Sequence, residues 1–259
     1  MGTPTLEHRP AANDITAANY PARYRSTGQL DPLPDYLTRY YAWAYVWPIS
    51  VWFFDHQPII NAILFGNYDR IMTHTLRLLD SPTAGSTLQI AAVYGKLTPI
   101  LADNLDDLHL IDAAQIQLDT TQRKLAAIGK SASLACMHAE NLAYEDDRFD
   151  SALLFLLLHE LPARARRECL QEAVRVLRPG GRLVIAEYGE CRGRHWFHRL
   201  APMRWVLTTA EPFLGGFWHE SLTEVLTESA AQVGKGIELE EQVDIFGGFY
   251  RVMRYRVLG

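Results

Sequence analysis

Between residues 87 and 186 the chain alternates short apolar runs with longer amphipathic stretches, and that rhythm admits few folds. The runs fall at 87–93, 108–111, 133–137, 151–158 and 182–186. Strands of this length separated by helical spacers wind into a parallel sheet, because a parallel neighbour is reached only through a crossover. Arg178, Pro179, Gly180 and Gly181 predict a tight turn from a helix into the fifth strand. The last stretch, 237–245, then Gly247 and Gly248, then 250–257, predicts an antiparallel hairpin on the sheet edge.

With 259 residues, 48% of them apolar, the chain can bury one sizeable α/β core plus decorations. Residues 1–34 are polar, carry five prolines and lack periodic apolar positions, so a disordered tail is expected there. Residues 35–80 predict an aromatic helical cap, with Asp35 capping a helix over 36–45, a break at Pro48, and a second helix over 59–79. Residues 81–259 are expected to form the main domain, with a cap insertion at about 189–220. A net charge of −5 argues against a general nucleic-acid binder. Cys136, Cys169 and Cys191 are odd in number and lack CxxC spacing, which argues against a disulfide framework or a structural zinc and fits a reducing cytoplasm. No apolar run reaches the roughly 20 residues of a membrane span, and no signal peptide is legible.

Parallel strands present ligands at their carboxyl ends, where strand order reverses. Val93, Tyr94 and Gly95 after the first run and Asp112 after the second should therefore border one crevice, with the Asp112 carboxylate placed to accept ribose hydroxyl groups. One glycine and one acid are weak by themselves. Their combination with five strand candidates, His138 and Ala139 after the third, and the glycine turn before the fifth favours a nucleotide-cofactor site.

On those residues the chain resembles class I S-adenosylmethionine-dependent methyltransferases, especially the branch acting on quinone rings in ubiquinone and menaquinone synthesis. The implied fold is a doubly wound, mostly parallel Rossmann-like α/β sheet. Such families carry an acidic residue and three glycines in the first loop, where this chain has Gln89, Ala91, Val93 and Gly95. The match implies cofactor contacts from Ala91, Val93, Tyr94, Gly95, Asp112, Ala113, His138 and Ala139. Val93 would put a β-branched side chain where backbone should approach the cofactor, and Gln89 lacks a carboxylate's charge. A displaced or weakly held cofactor is the expectation. The stretch from Val93 to Pro99, Phe155 to Pro162, Glu187 with Tyr188, and the aromatic preface further resemble the methyltransferase-like rhodoquinone-biosynthesis family. That resemblance implies exchange of a ubiquinone methoxy group for an amino group, with S-adenosylmethionine as amino donor and manganese as metal.

Such chemistry needs a group to activate the incoming nitrogen and one to polarise a ring carbonyl, a task suited to a divalent cation. Strand-end candidates for its ligands are His159, Glu160 and Glu187, a mixed set acceptable to manganese. Glu160, Tyr188 and His219 are the candidate catalytic groups. Trp43, Trp47, Trp52, Trp196, Trp205 and Trp218 fall in two segments outside the expected strands. With Arg192, Arg194, Arg199 and Arg204, they fit peripheral contact with the inner membrane face, where a ubiquinone would be collected. A plain helical cap explains the same tryptophans. The alternatives are a conventional quinone or phenol methyltransferase and a non-catalytic scaffold of a quinone-synthesis complex.

Overall fold

The computed structural model describes residues 33–80, 85–190 and 195–259. The expected disordered tail, the 81–82 boundary, Cys191, Arg192 and Arg194 lie outside these residues, apart from positions 33 and 34. No helix among the described residues is long and apolar enough to cross a membrane.

Seven strands form one sheet in the order β3-β2-β1-β4-β5-β7-β6. They are β1 (Ser86–Ile90), β2 (Asp107–Asp112), β3 (Ser133–Cys136), β4 (Phe149–Phe155), β5 (Leu177–Tyr188), β6 (Gly236–Ile245) and β7 (Tyr250–Leu258). The first five pair in parallel, and β7 runs antiparallel to both β5 and β6. The expected doubly wound, mostly parallel sheet with a C-terminal hairpin is therefore what the chain forms. Strand order reverses beside β1, which lies between β2 and β4 with Ile90 level with Ile111 and Leu154. This register sets the ends of three strands side by side, the usual location of a ligand crevice.

The central strands are largely buried because both sheet faces are covered, as parallel strands require. All five residues of β1 are buried. Helices α5 (Leu97–Asn104) and α6 (Gln115–Ala127) pack together beside β2 and β3, α7 (Ala163–Arg175) packs on α11 (Leu222–Gln232), and α4 (Tyr68–Leu79) lies along β5 and β7. Strand limits differ from the apolar runs where the backbone turns left-handed. The strands β1 and β4 stop short of Val93 and Leu158 because Ala91 (φ 72°) and Leu156 (φ 54°) leave the extended region. In the other direction, β5 begins before the glycine turn, which is absorbed as a register irregularity opposite Phe149 and Ser151 with Gly180 at φ 80°.

The cap comprises a π-helical turn (Leu37–Tyr41), α1 (Ala42–Tyr45), α2 (Pro48–Phe54) and α3 (Gln57–Ile63). No side-chain cap forms where the π-helical turn begins, so Asp35 does not play the role expected of it. The continuous helix expected over 59–79 is split into α3 and α4. Phe65 and Gly66 take positive φ, and the Asn67 side-chain amide donates to the carbonyls of Leu64 and Phe65 at 3.2 and 2.9 Å. Those bonds satisfy the end of α3 while redirecting the chain. After β5 come α8 (Trp196–Arg199), α9 (Ala201–Ala210) and α10 (Leu214–Phe217), and none of the six tryptophans lies in a strand.

Candidate functional site

A cleft with about 1170 Å³ of empty space, its open mouth included, lies over the carboxyl ends of β1, β2 and β4. Its floor is Ala91 to Tyr94, Asp112, Ala113 and Ala139, and its roof comes from the cap through Tyr41, Tyr45, Ile60 and Ile63. The far wall is Leu156, His159, Glu160, Tyr188 and Glu211.

The first loop is held by its own side chains and by the cap. Gln89 is fully buried, donates to the Ala91 carbonyl at 3.0 Å and accepts from the Thr98 hydroxyl at 3.0 Å. It braces the loop from beneath and does not face the cleft. Ala91 takes positive φ, a conformation that costs a residue with a Cβ roughly 1–2 kcal/mol. Val93 lines the cleft. Tyr94 stacks on Tyr45 with ring centroids 5.7 Å apart, donates from its hydroxyl to the Ala44 carbonyl at 2.6 Å, and accepts from the Gln117 amide at 3.0 Å. Asp55 of the cap accepts the Gly95 N–H at 2.9 Å and pairs with Lys124 at 2.7 Å. Cap and loop are thus one bonded unit.

Asp112 accepts the N–H of Ala92 at 2.9 Å and that of Ala114 at 2.7 Å, one on each carboxylate oxygen. Burial nevertheless raises its pKa to about 6, outweighing those two donors. Gly95 and His138 are adjacent to lining residues without lining the cleft themselves.

The far wall is an acidic cluster around one imidazole. A 3-10 turn, Leu158–Glu160, follows β4 and carries His159 and Glu160. Arg166 of α7, fully buried, fastens it by donating to the carbonyls of Leu158 and Leu161, each at 2.9 Å. Buried Glu187 accepts His159 Nδ1 at 2.7 Å and the Leu158 N–H at 2.9 Å. Burial by itself would lower the His159 pKa, but the Glu187 carboxylate overrides it and lifts the value to about 9. Glu160 is pushed up to about 8 by burial and by the neighbouring Glu211 carboxylate, and Glu211 is itself raised by burial. Tyr45 donates to Glu160, and Tyr41 donates to Glu211 at 3.0 Å.

Ligand atoms of His159, Glu160 and Glu211 lie within 4.8 Å of one another. One imidazole and two carboxylates fit a divalent metal favouring oxygen and nitrogen. This donor set differs from the expected one. Glu187 stands behind His159 and orients its ring, the usual outer-shell position for a carboxylate, while Glu211 converges with His159 and Glu160. His219 is exposed just after α10 and does not line the cleft. Tyr188 does line it, edge-on to His159 at 4.7 Å. Sequence reasoning missed Glu211, Gln117, Tyr45 and Arg166. Tyr45 lay in a segment read only as an aromatic cap, and the others carried no motif signal.

A methyltransferase domain model matches residues 88–185, from β1 into β5. A demethylmenaquinone methyltransferase of Clavibacter sepedonicus is 29% identical over 131 residues, 49% of this chain and 51% of that protein, so the chain spans about half the length of this curated relative. The [4+2]-cyclase SpnF superposes with a TM-score of 0.54 at 19% identity, over 73% of this chain and 80% of its own. The N-methyltransferase NodS from Bradyrhizobium japonicum superposes with a TM-score of 0.52 at 20% identity, over 74% of this chain and 99% of its own. A cyclase and a methyltransferase on one fold show that the fold alone does not fix the reaction. Residues 88–185 thus match a methyltransferase domain model, and they lie within a seven-stranded, mostly parallel Rossmann-like sheet.

Proposed function

We propose that the cleft binds S-adenosylmethionine against the 91–94 loop and transfers a group from it to a quinone or phenol ring held under the cap. The observation that carries this reading is that Ala91 to Tyr94 and Asp112 open onto the same cleft as the aromatic roof and the His159 cluster. Asp112 is fixed by two backbone donors and keeps lone pairs for ribose hydroxyl groups. The rings of Tyr41, Tyr45, Tyr94 and Tyr188 form walls suited to a flat, partly apolar acceptor. The domain match and the demethylmenaquinone methyltransferase relative favour methyl transfer. In that reading Glu160, held near pKa 8, is positioned to take a proton from the acceptor ring.

A second reading, exchange of a ubiquinone methoxy group for an amino group, is favoured by the convergence of His159, Glu160 and Glu211. Those three would hold a divalent metal such as manganese, which when bound would supply Lewis-acid polarisation of a ring carbonyl. Glu187 would keep His159 Nε2 turned toward the site, and Tyr41 and Tyr45 would keep the two carboxylates in place.

One experiment separates the readings. The purified chain is incubated with S-adenosylmethionine and a short-tailed ubiquinone or its demethyl precursor, with and without manganese, and the quinone is weighed by mass spectrometry. A gain of one methyl group supports methyl transfer, and a loss of mass dependent on manganese supports amino exchange. An unchanged quinone, with no cofactor binding by calorimetry, rejects both and leaves a scaffold.

A further inference from the structure

The cap lines the cleft through its π-helical turn, α1 and α3, and carries large exposed apolar side chains on α2. On α2, Ile49 (74% exposed), Trp52 (64%) and Phe53 recur at helical spacing, with Val51 buried behind them and Trp47 (56%) just before the helix. A second group, Trp196, Leu200, Trp205 (68%) and Val206, is exposed on and beside α8 and α9. The two groups belong to segments packed on each other. Phe65 meets Phe197 at 4.8 Å, and Tyr40 meets Phe213 at 5.3 Å. So many exposed tryptophans exceed what a solvated surface ordinarily carries.

Charge selects the occupant. The whole chain has a net charge of −5, yet residues 36–54 and 195–210 contain no aspartate or glutamate and carry Arg39, Arg199 and Arg204. Amphipathic aromatic rings with arginines beside them match the interface of an anionic bilayer, where the rings sit at headgroup depth and the cations meet lipid phosphates. We propose that the outer faces of the cap, α8 and α9 dock on an anionic membrane surface, which would bring the mouth of the cleft to a lipid-borne substrate. The docking itself does not depend on the reaction proposed above.

The test is co-sedimentation of the full chain with vesicles of phosphatidylcholine alone or mixed with phosphatidylglycerol. Wild-type protein is expected to pellet with the mixed vesicles, less with the neutral ones, and progressively less as salt is raised. Trp47→Ser/Ile49→Ser/Trp52→Ser should weaken binding at least tenfold, and Arg199→Glu/Arg204→Glu should abolish the preference for anionic lipid. None of the five lines the cleft, and an unchanged far-ultraviolet circular dichroism spectrum with a cooperative melt confirms that each variant is folded. Wild-type protein that stays in the supernatant with both vesicles, or a triple serine variant that binds as tightly as wild type, overturns the proposal. A wild-type dimer that the serine variant converts to monomer, with no vesicle binding, would assign the face to a second copy instead.

Discussion

Glu187 accepts the Nδ1 proton of His159 at 2.7 Å from a fully buried position, which leaves Nε2 on the side of Glu160. The same carboxylate accepts the N–H of Leu158, of His159 and of Tyr188. Glu187→Ala would strand a buried imidazolium and three backbone donors, and breaking a buried pair costs about 3–5 kcal/mol. Urea denaturation should show a loss of that order. The milder Glu187→Gln should fold and, if the cluster binds metal, bind manganese roughly 10–100-fold more weakly.

The raised pKa values of Glu160 and His159 give the metal-free chain a definite pH dependence. Both folded values, about 8 and about 9, lie above the ordinary 4.5 and 6.5. The stabilisation from each is fully present below its ordinary value and is lost as pH rises through the folded one. With chelator present, the melting temperature should therefore fall between pH 6.5 and 9. Glu160→Gln removes the carboxylate's share and should melt about 2–8 °C above wild type at pH 9, as expected for roughly 1–2 kcal/mol. Equal melting of the two proteins at that pH would show that Glu160 ionises at no cost in the fold.

Gly95 takes φ 83°, and a Cβ there would lie 2.6 Å from the hydroxyl oxygen of Tyr68. That hydroxyl accepts the N–H of Lys96 and of Leu97 and donates to the Tyr94 carbonyl, so it cannot step aside without unfastening the loop. Gly95→Ala should cost about 2–4 kcal/mol from strain and overpacking. Gly66 has φ 75° with nothing near its Cβ position, and Gly66→Ala should cost only about 1 kcal/mol. Chemical denaturation of the two variants side by side measures the difference.

Ala91 at φ 72° is the reverse case, a residue with a Cβ in a conformation that glycine adopts freely. Ala91→Gly should stabilise the chain by up to about 1 kcal/mol, or raise the melting temperature by roughly 2–4 °C. A lower melting temperature would show that the Ala91 methyl group contributes more by packing than it costs in strain.

Asp112, with its pKa near 6, should make binding of the proposed ribose-bearing cofactor sensitive to acid. The carboxylate is the form that accepts hydroxyl groups, so calorimetric affinity for S-adenosylhomocysteine should fall about tenfold from pH 7 to pH 5. Asp112→Asn should bind weakly at both values.

The sequence determined the sheet. Apolar runs of strand length separated by helical spacers leave a parallel α/β arrangement as the economical way to bury both faces, and the Gly247 turn closes the terminal hairpin. Asp112, Val93 and Tyr94 were legible because they lie at or just beyond the carboxyl ends of strands, and those ends converge on the cleft by construction. Helix breaks and strand limits were less legible, since they depend on left-handed residues such as Phe65, Ala91 and Leu156 that carry no glycine signal. Only the tertiary structure decided the cluster. Glu211 lies 51 positions after Glu160 with no motif joining them, and it reaches His159 because α9 folds back beneath the cap. It also gave Glu187 and Glu160 different tasks, burying one behind the imidazole and turning the other into the cleft. Hydrophobic periodicity fixes which residues are buried, whereas the meeting of two carboxylates depends on how distant elements pack.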